Sequence, residues 1–222
     1  MRKTATLVIL AALLVVEGCG AKAVPRWRTS AFNYLEQYKE LTLLGDTRSA
    51  DLFFAKALEE IKKSGDLLLL GRIYLTQSAL RTAIGEDSRN PSYEVVAAAE
   101  HDAANAAFYR FLQGSPQSTD IEVLPKAYSL FAKALFNRDI AGAERQISLI
   151  ADPLSQAIAA SIFIRTFGPR EGVFLKAAET ASSRGWKAVL LFHLNGLQDF
   201  YRATGNMAAA DRILQRIALI AG

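Results

Sequence analysis

Residues 45–65 read GDTRSADLFFAKALEEIKKSG. Ala50, Phe54, Ala57 and Ile61 fall three or four apart, so they share one face of a helix predicted over Thr47–Lys63. Gly45 ends the segment before it and Ser64-Gly65 ends this one. The apolar positions show no period of two, which speaks for helix against strand.

The same pattern continues on both sides. Upstream, Ala31–Leu44 places Phe32, Leu35, Tyr38 and either Leu41 or Thr42 on one face. Downstream, Leu67–Ile84 closes at Gly85, and Glu86–Asn90 is a polar loop. Asn90 then caps a helix that Pro91 opens at its first position. Alanines at 97, 98, 99, 103, 104, 106 and 107 predict one continuous helix to Gln113, with neighbouring backbones approaching closely. Gly114-Ser115-Pro116 stops it. Further helices are predicted over Pro125–Asn137, Ala141–Ile150, Leu154–Phe167, Trp186–Thr204 and Met207–Ala221. Asp152-Pro153 and Gly168-Pro169 mark two more starts. The expected fold is all-α: stacked helical hairpins, as a solenoid or an irregular bundle.

Composition supports a folded chain. Of 222 residues, 51% are hydrophobic and 22% charged, which excludes a disordered polymer. The length suffices for a core without disulfide or metal staples. The formal charge of +4 is dispersed and no Lys/Arg stripe interleaves with aromatics, so a nucleic-acid surface is not indicated.

The N-terminus reads as an address. Arg2 and Lys3 precede a mostly apolar run, Ala5–Val16, which is too short for the roughly 20 residues of a spanning helix. The run ends at Val16-Glu17-Gly18-Cys19, and Cys19 is the single cysteine of the chain. This stretch resembles a bacterial lipobox, from which only Glu17 departs. The resemblance implies cleavage before Cys19, a diacylglyceryl group on its thiol and acylation of the new amine. It also implies an outer-membrane address, because Gly20 stands where an inner-membrane retention aspartate would. Export would remove Arg2, Lys3 and Glu17. The expected organisation is a signal peptide (1–18), a lipidated tether (19–30) and a helical domain (31–222). Trp27 is expected to pack on the first helix.

Four segments align on Ala50, Ala143, Ala177 and Ala210, the last three about one tetratricopeptide period apart. Gly45, Arg138, Gly172 and Gly205 stand five residues earlier; Phe54, Ile147, Ala181 and Leu214 stand four later. The blocks Gly45–Ala50 and Gly205–Ala210 resemble the turn and second helix of a tetratricopeptide repeat. Leu70-Gly71-Arg72-Ile73-Tyr74 resembles its first helix. The resemblance implies a scaffold in which glycine permits the turn and alanine lets paired helices touch.

Chemistry is hard to find. His101 lies between Glu100 and Asp102, but adjacent residues do not share a helix face, and His101 with Asn105 makes a poor zinc pair. His193, in an apolar run, reads as a satisfied core or interface histidine and not as a base. Glu59-Glu60 lack the facing geometry of an acid–base pair. No catalytic, cofactor or metal residues are therefore assigned. Tyr109, Arg110, Tyr201 and Arg202 are the candidate groove residues, since Tyr and Arg beside Phe are enriched at interfaces.

The expected role is non-catalytic: a periplasmic lipoprotein, anchored at the outer membrane through Cys19, that holds an envelope protein during assembly or secretion. In outline it resembles the helical-repeat lipoproteins of barrel assembly and the pilotins. The alternative is an accessory subunit of a transporter, with a small or lipidic ligand among Phe108, Phe111, Phe192 and Phe200.

Overall fold

A computed structural model describes residues 24–221. Cys19, the segment before it and most of the expected tether lie outside the described residues. Those described form twelve α-helices and no strand.

The first pair is α1 (Arg26–Leu44) and α2 (Thr47–Lys62), an antiparallel hairpin. α1 starts five residues before the expected boundary. Its first turn is organised by Pro25, whose carbonyl accepts from Arg28 N at 3.0 Å, and Trp27 packs half-buried against the core. The expected face of α1 is rotated. Ala31, Tyr38, Thr42 and Leu43 are buried, while Phe32 is 62% exposed. In α2 all four positions read from the sequence, Ala50, Phe54, Ala57 and Ile61, are buried.

Next come α3 (Leu67–Ala83), α4 (Pro91–Ala99) and α5 (Ala103–Leu112). The alanine-rich segment is therefore two helices. Glu100 takes an extended conformation, and the Asp102 carboxylate accepts from Asn105 N at 2.8 Å, starting α5 afresh. The bend lets both pieces fold over α3, with the Tyr93 and Tyr109 rings 4.6 Å apart. Alanine propensity is thus overridden by burial of larger side chains: Tyr93, Val96, Phe111 and Leu112 are buried, and of the seven alanines only Ala107 is.

A short turn, α6 (Asp120–Val123), leads to the hairpin α7 (Lys126–Phe136) and α8 (Ile140–Leu149). The final elements are α9 (Pro153–Phe167), α10 (Glu171–Arg184), α11 (Lys187–Ala203) and α12 (Met207–Ala221), with α11 packed on both α10 and α12. Pro91 and Pro153 open their helices at the first turn, capped by Asn90 and Asp152 as expected.

One turn recurs. The Asp46 backbone N–H donates back to Leu41 O at 2.9 Å, its side chain accepts from Ser49 N, and its carbonyl accepts from Ala50 N. One residue thus closes α1 and starts α2. Asp139 does the same between α7 and α8, as Asn206 does between α11 and α12. The residue before each has positive φ: Gly45, Arg138 and Gly205. Ala50, Ala143 and Ala210 are buried one turn on, where the paired helices meet. The fourth aligned position differs, because Gly172 lies inside α10, where a Cβ would come within 3.0 Å of Glu144 Oε1.

The centre is α3 against α9. Every residue from Gln156 to Phe163 is buried, as in a helix apolar all round. Its polar groups are satisfied: Gln156 Nε2 donates to Ile147 O and Ile150 O, and Ser161 Oγ to Ala83 O. α1 also packs against α11, so the array closes on itself where a one-dimensional stack would touch only its neighbours.

Candidate binding clefts

The four candidate groove residues divide into two sets. α5 packs on α3 and α6, whereas α11 packs on α10, α12 and α1. Tyr109 Oη accepts from Asn90 N at 3.0 Å and donates to Glu94 at 2.7 Å. Arg110 donates through Nε and Nη2 to the carboxylate of Asp120, which is 2% exposed and also accepts from Gln117 N. That guanidinium holds the Asp120 carboxyl below its ordinary value. Both residues are tied into the fold: Tyr109 holds the start of α4, and Arg110 holds the start of α6. Tyr201 donates to Glu171 at 2.6 Å on an exposed face, and Arg202 is exposed on the last turn of α11.

The histidines are also far from a common site. His101 is exposed in the break between α4 and α5. His193 is fully buried on α11, with the Phe192 and Phe174 ring centroids 4.8 and 6.2 Å from its own. Contrary to the expected satisfied histidine, neither ring nitrogen has a hydrogen-bond partner among the described residues. Burial without a partner pushes its pKa down to about 3. Glu60 pairs with Lys63 at 2.7 Å. Among the described residues no group of three His, Cys, Asp or Glu is placed to hold a metal.

The four phenylalanines do not line one cavity. Phe111 is fully buried against Tyr128 and Phe131, and Phe108 reaches the surface. Phe192 lies over the backbone of Gly85, and Phe200 beside Tyr201.

Two clefts stand out instead. The first, of about 290 Å³, is an open, mainly apolar groove over α3, α5 and the α6–α7 turn. Leu75, Ala104, Phe108, Val123 and Pro125 line it, with Arg72, Thr76 and Asn105 as its polar members. The second, of about 280 Å³, lies where α1, α2, α3 and α11 meet. Tyr38, Ala50, Ile84 and Ala188 give it an apolar lining; Asp51, Arg81 and Glu86 bring charge. Burial pushes the Tyr38 phenol up to about 12, so it stays a neutral hydroxyl. The residues of each cleft are scattered in sequence and carry no motif. The nearest signal is Arg81, a lone cation near the end of the apolar α3.

No helix among the described residues is long and apolar enough to cross a membrane. Compared with family models, curated proteins and solved structures, the chain matches none.

Proposed function

We propose that this protein is a periplasmic lipoprotein, anchored at the outer membrane by acylated Cys19, whose helical hairpins act as a non-catalytic scaffold for an envelope protein in assembly or secretion. The observation that carries the scaffold role is the open apolar groove over α3, α5 and the α6–α7 turn. It is wide enough to receive side chains of a partner segment, and exposed Val123 extends its apolar rim. The turn shared at Asp46, Asp139 and Asn206 supports a tetratricopeptide-like origin for the hairpins.

The anchor rests on the sequence: a basic start, a short apolar run and a single cysteine at its end. Two or more acyl chains hold a protein on a bilayer stably, where one does not. Because α1 begins at Arg26, only residues 20–25 separate Cys19 from the first helix. At roughly 3.5 Å per extended residue they reach about 20 Å, which keeps the scaffold beside the membrane.

Photo-crosslinking in the native envelope tests the scaffold role. A crosslinker at Thr76, inside the groove, is expected to trap one discrete protein, whereas one at Lys62, outside it, is not. Cys19→Ala should abolish the Thr76 adduct by removing the protein from the membrane. Equal trapping from both positions would overturn the groove assignment. The alternative, a small-molecule accessory subunit, draws its support from the charged cleft alone.

A further inference from the structure

We infer that the cleft between α1, α2, α3 and α11 is a binding site for a small zwitterion, an α-amino acid with an apolar side chain. This proposal does not depend on the scaffold role, which concerns the other groove.

The argument begins with the charges. Arg81 stands in the last turn of α3, and Glu86 follows just beyond it. The Glu86 backbone N–H donates to Arg81 O at 2.8 Å, so the backbone itself holds these residues side by side. Yet Arg81 Nε and Glu86 Oε2 are 3.9 Å apart, too far for a hydrogen bond. Arg81 and Glu86 are therefore a loose, half-exposed ion pair, with side chains 40% and 57% exposed. Asp51 lines the cleft from α2. The cleft therefore presents one cation and two carboxylates, with the cation held to Glu86 only across a long ion pair.

That set selects its ligand. A simple anion would meet Arg81 but be repelled by Asp51 and Glu86. A simple cation would meet the reverse. A neutral guest would cover Asp51 and the loose Arg81–Glu86 pair without adding a partner for any of them, which is costly. A molecule with one carboxylate and one ammonium pairs both signs: its carboxylate on the Arg81 fork, its ammonium on Asp51 and Glu86. The remaining wall fits an apolar side chain, being formed by Tyr38, Ile84 and Ala188. A volume of about 280 Å³ suits a molecule of amino-acid size and falls just below the roughly 300 Å³ at which drug-sized pockets begin.

The cleft is also held in shape. The turn after α3 is clamped against α11, because the Phe192 ring lies 2.1 Å from where a Cβ on Gly85 would be. On the other side, the α1–α2 turn approaches α11 closely, with Ala188 Cβ 3.5 Å from a Cβ built at Gly45. Glu86 and Asp51 therefore project from fixed backbone, and preorganisation reduces the cost of binding.

Calorimetric titration of the full chain in detergent tests this with three probes of one side chain: L-leucine, N-acetyl-L-leucine and L-leucinamide. L-Leucine is expected to bind saturably, at least about tenfold tighter than either blocked form, since each lacks one charge-assisted contact. Arg81→Gln and Asp51→Asn should each weaken L-leucine by about tenfold or more with unchanged far-UV circular dichroism, because both side chains lie at the surface. Equal affinities for the three probes, or no L-leucine binding up to about 10 mM, would overturn the proposal. The wild-type comparison decides even if a variant fails to fold.

Discussion

His193 carries a cost that no neighbour offsets. A buried polar group without a partner costs about 1–3 kcal/mol, and charging this one beside the Phe174 and Phe192 rings would cost more. The unfolded chain takes up the proton near the ordinary histidine value of 6.5, whereas the folded imidazole stays neutral down to about 3. The unfolded state binds more protons across that window, so stability falls as the solution is acidified. Between pH 6.5 and 5 the loss should be about 1.6 kcal/mol from this group, because the unfolded histidine is already half protonated at pH 6.5. Urea unfolding of wild type and His193→Leu at both pH values checks this. The variant should lose about that much less, and an identical pH slope would exclude His193 as the cause.

Arg138 is a second costly residue. It holds φ at 55°, the single positive value outside glycine among the described residues. Side chains pay about 1–2 kcal/mol for this conformation, while glycine adopts it freely at a larger loss of chain entropy. Arg138→Gly should therefore stabilise the protein by about 0.5–1 kcal/mol, read as a rise in the urea midpoint with unchanged m-value. The alignment that placed Arg138 opposite Gly45 and Gly205 exposed this position from the sequence alone.

At the scale of elements, periodicity was legible wherever one face is buried and the other wet. Ala50, Phe54, Ala57 and Ile61 are the clearest case. Proline starts were legible too, because Pro91 and Pro153 each follow a side chain that caps. The break at Glu100 was not legible. Alanine favours helix equally on both sides of it, so the cap at Asp102 is disclosed only by what Tyr93 and Phe111 pack against. Phe32 misled for the opposite reason: it fits the apolar period of α1, but the hairpin with α2 turns Ala31 inward instead. The turns test this level. Gly85→Ala combines positive φ with a Cβ inside the Phe192 ring, so it should lower stability by about 2 kcal/mol or more. A shift below about 0.5 kcal/mol would mean that the turn after α3 is not clamped to α11.

Across the whole molecule, closure is what sequence could not convey. The α3–α9 and α1–α11 contacts join segments far apart in the chain, and no local signal encodes them. The same is true of the sites. Tyr109 and Arg110 looked like interface residues because their partners, Asn90, Glu94 and Asp120, become neighbours only through folding. Asp51, Arg81 and Glu86 meet in one cleft for the same reason. Closure also has a thermodynamic consequence. An open stack can unravel from its ends, whereas an array joined through α1 and α11 should unfold as one unit. Trp27 and Trp186 report from α1 and from the residue before α11, both half-buried against the core. Their fluorescence and the far-UV signal should give coincident urea transitions, and two separated transitions would contradict a closed array.

Everything proposed about where this protein works depends on Cys19. Intact-mass and N-terminal peptide analysis of the chain isolated from membranes tests that directly. The expected species begins at Cys19, with a diacylglyceryl group on sulfur and an acyl group on nitrogen. A chain that retains residues 1–18, or one with an unmodified Cys19 thiol, would contradict the lipoprotein account.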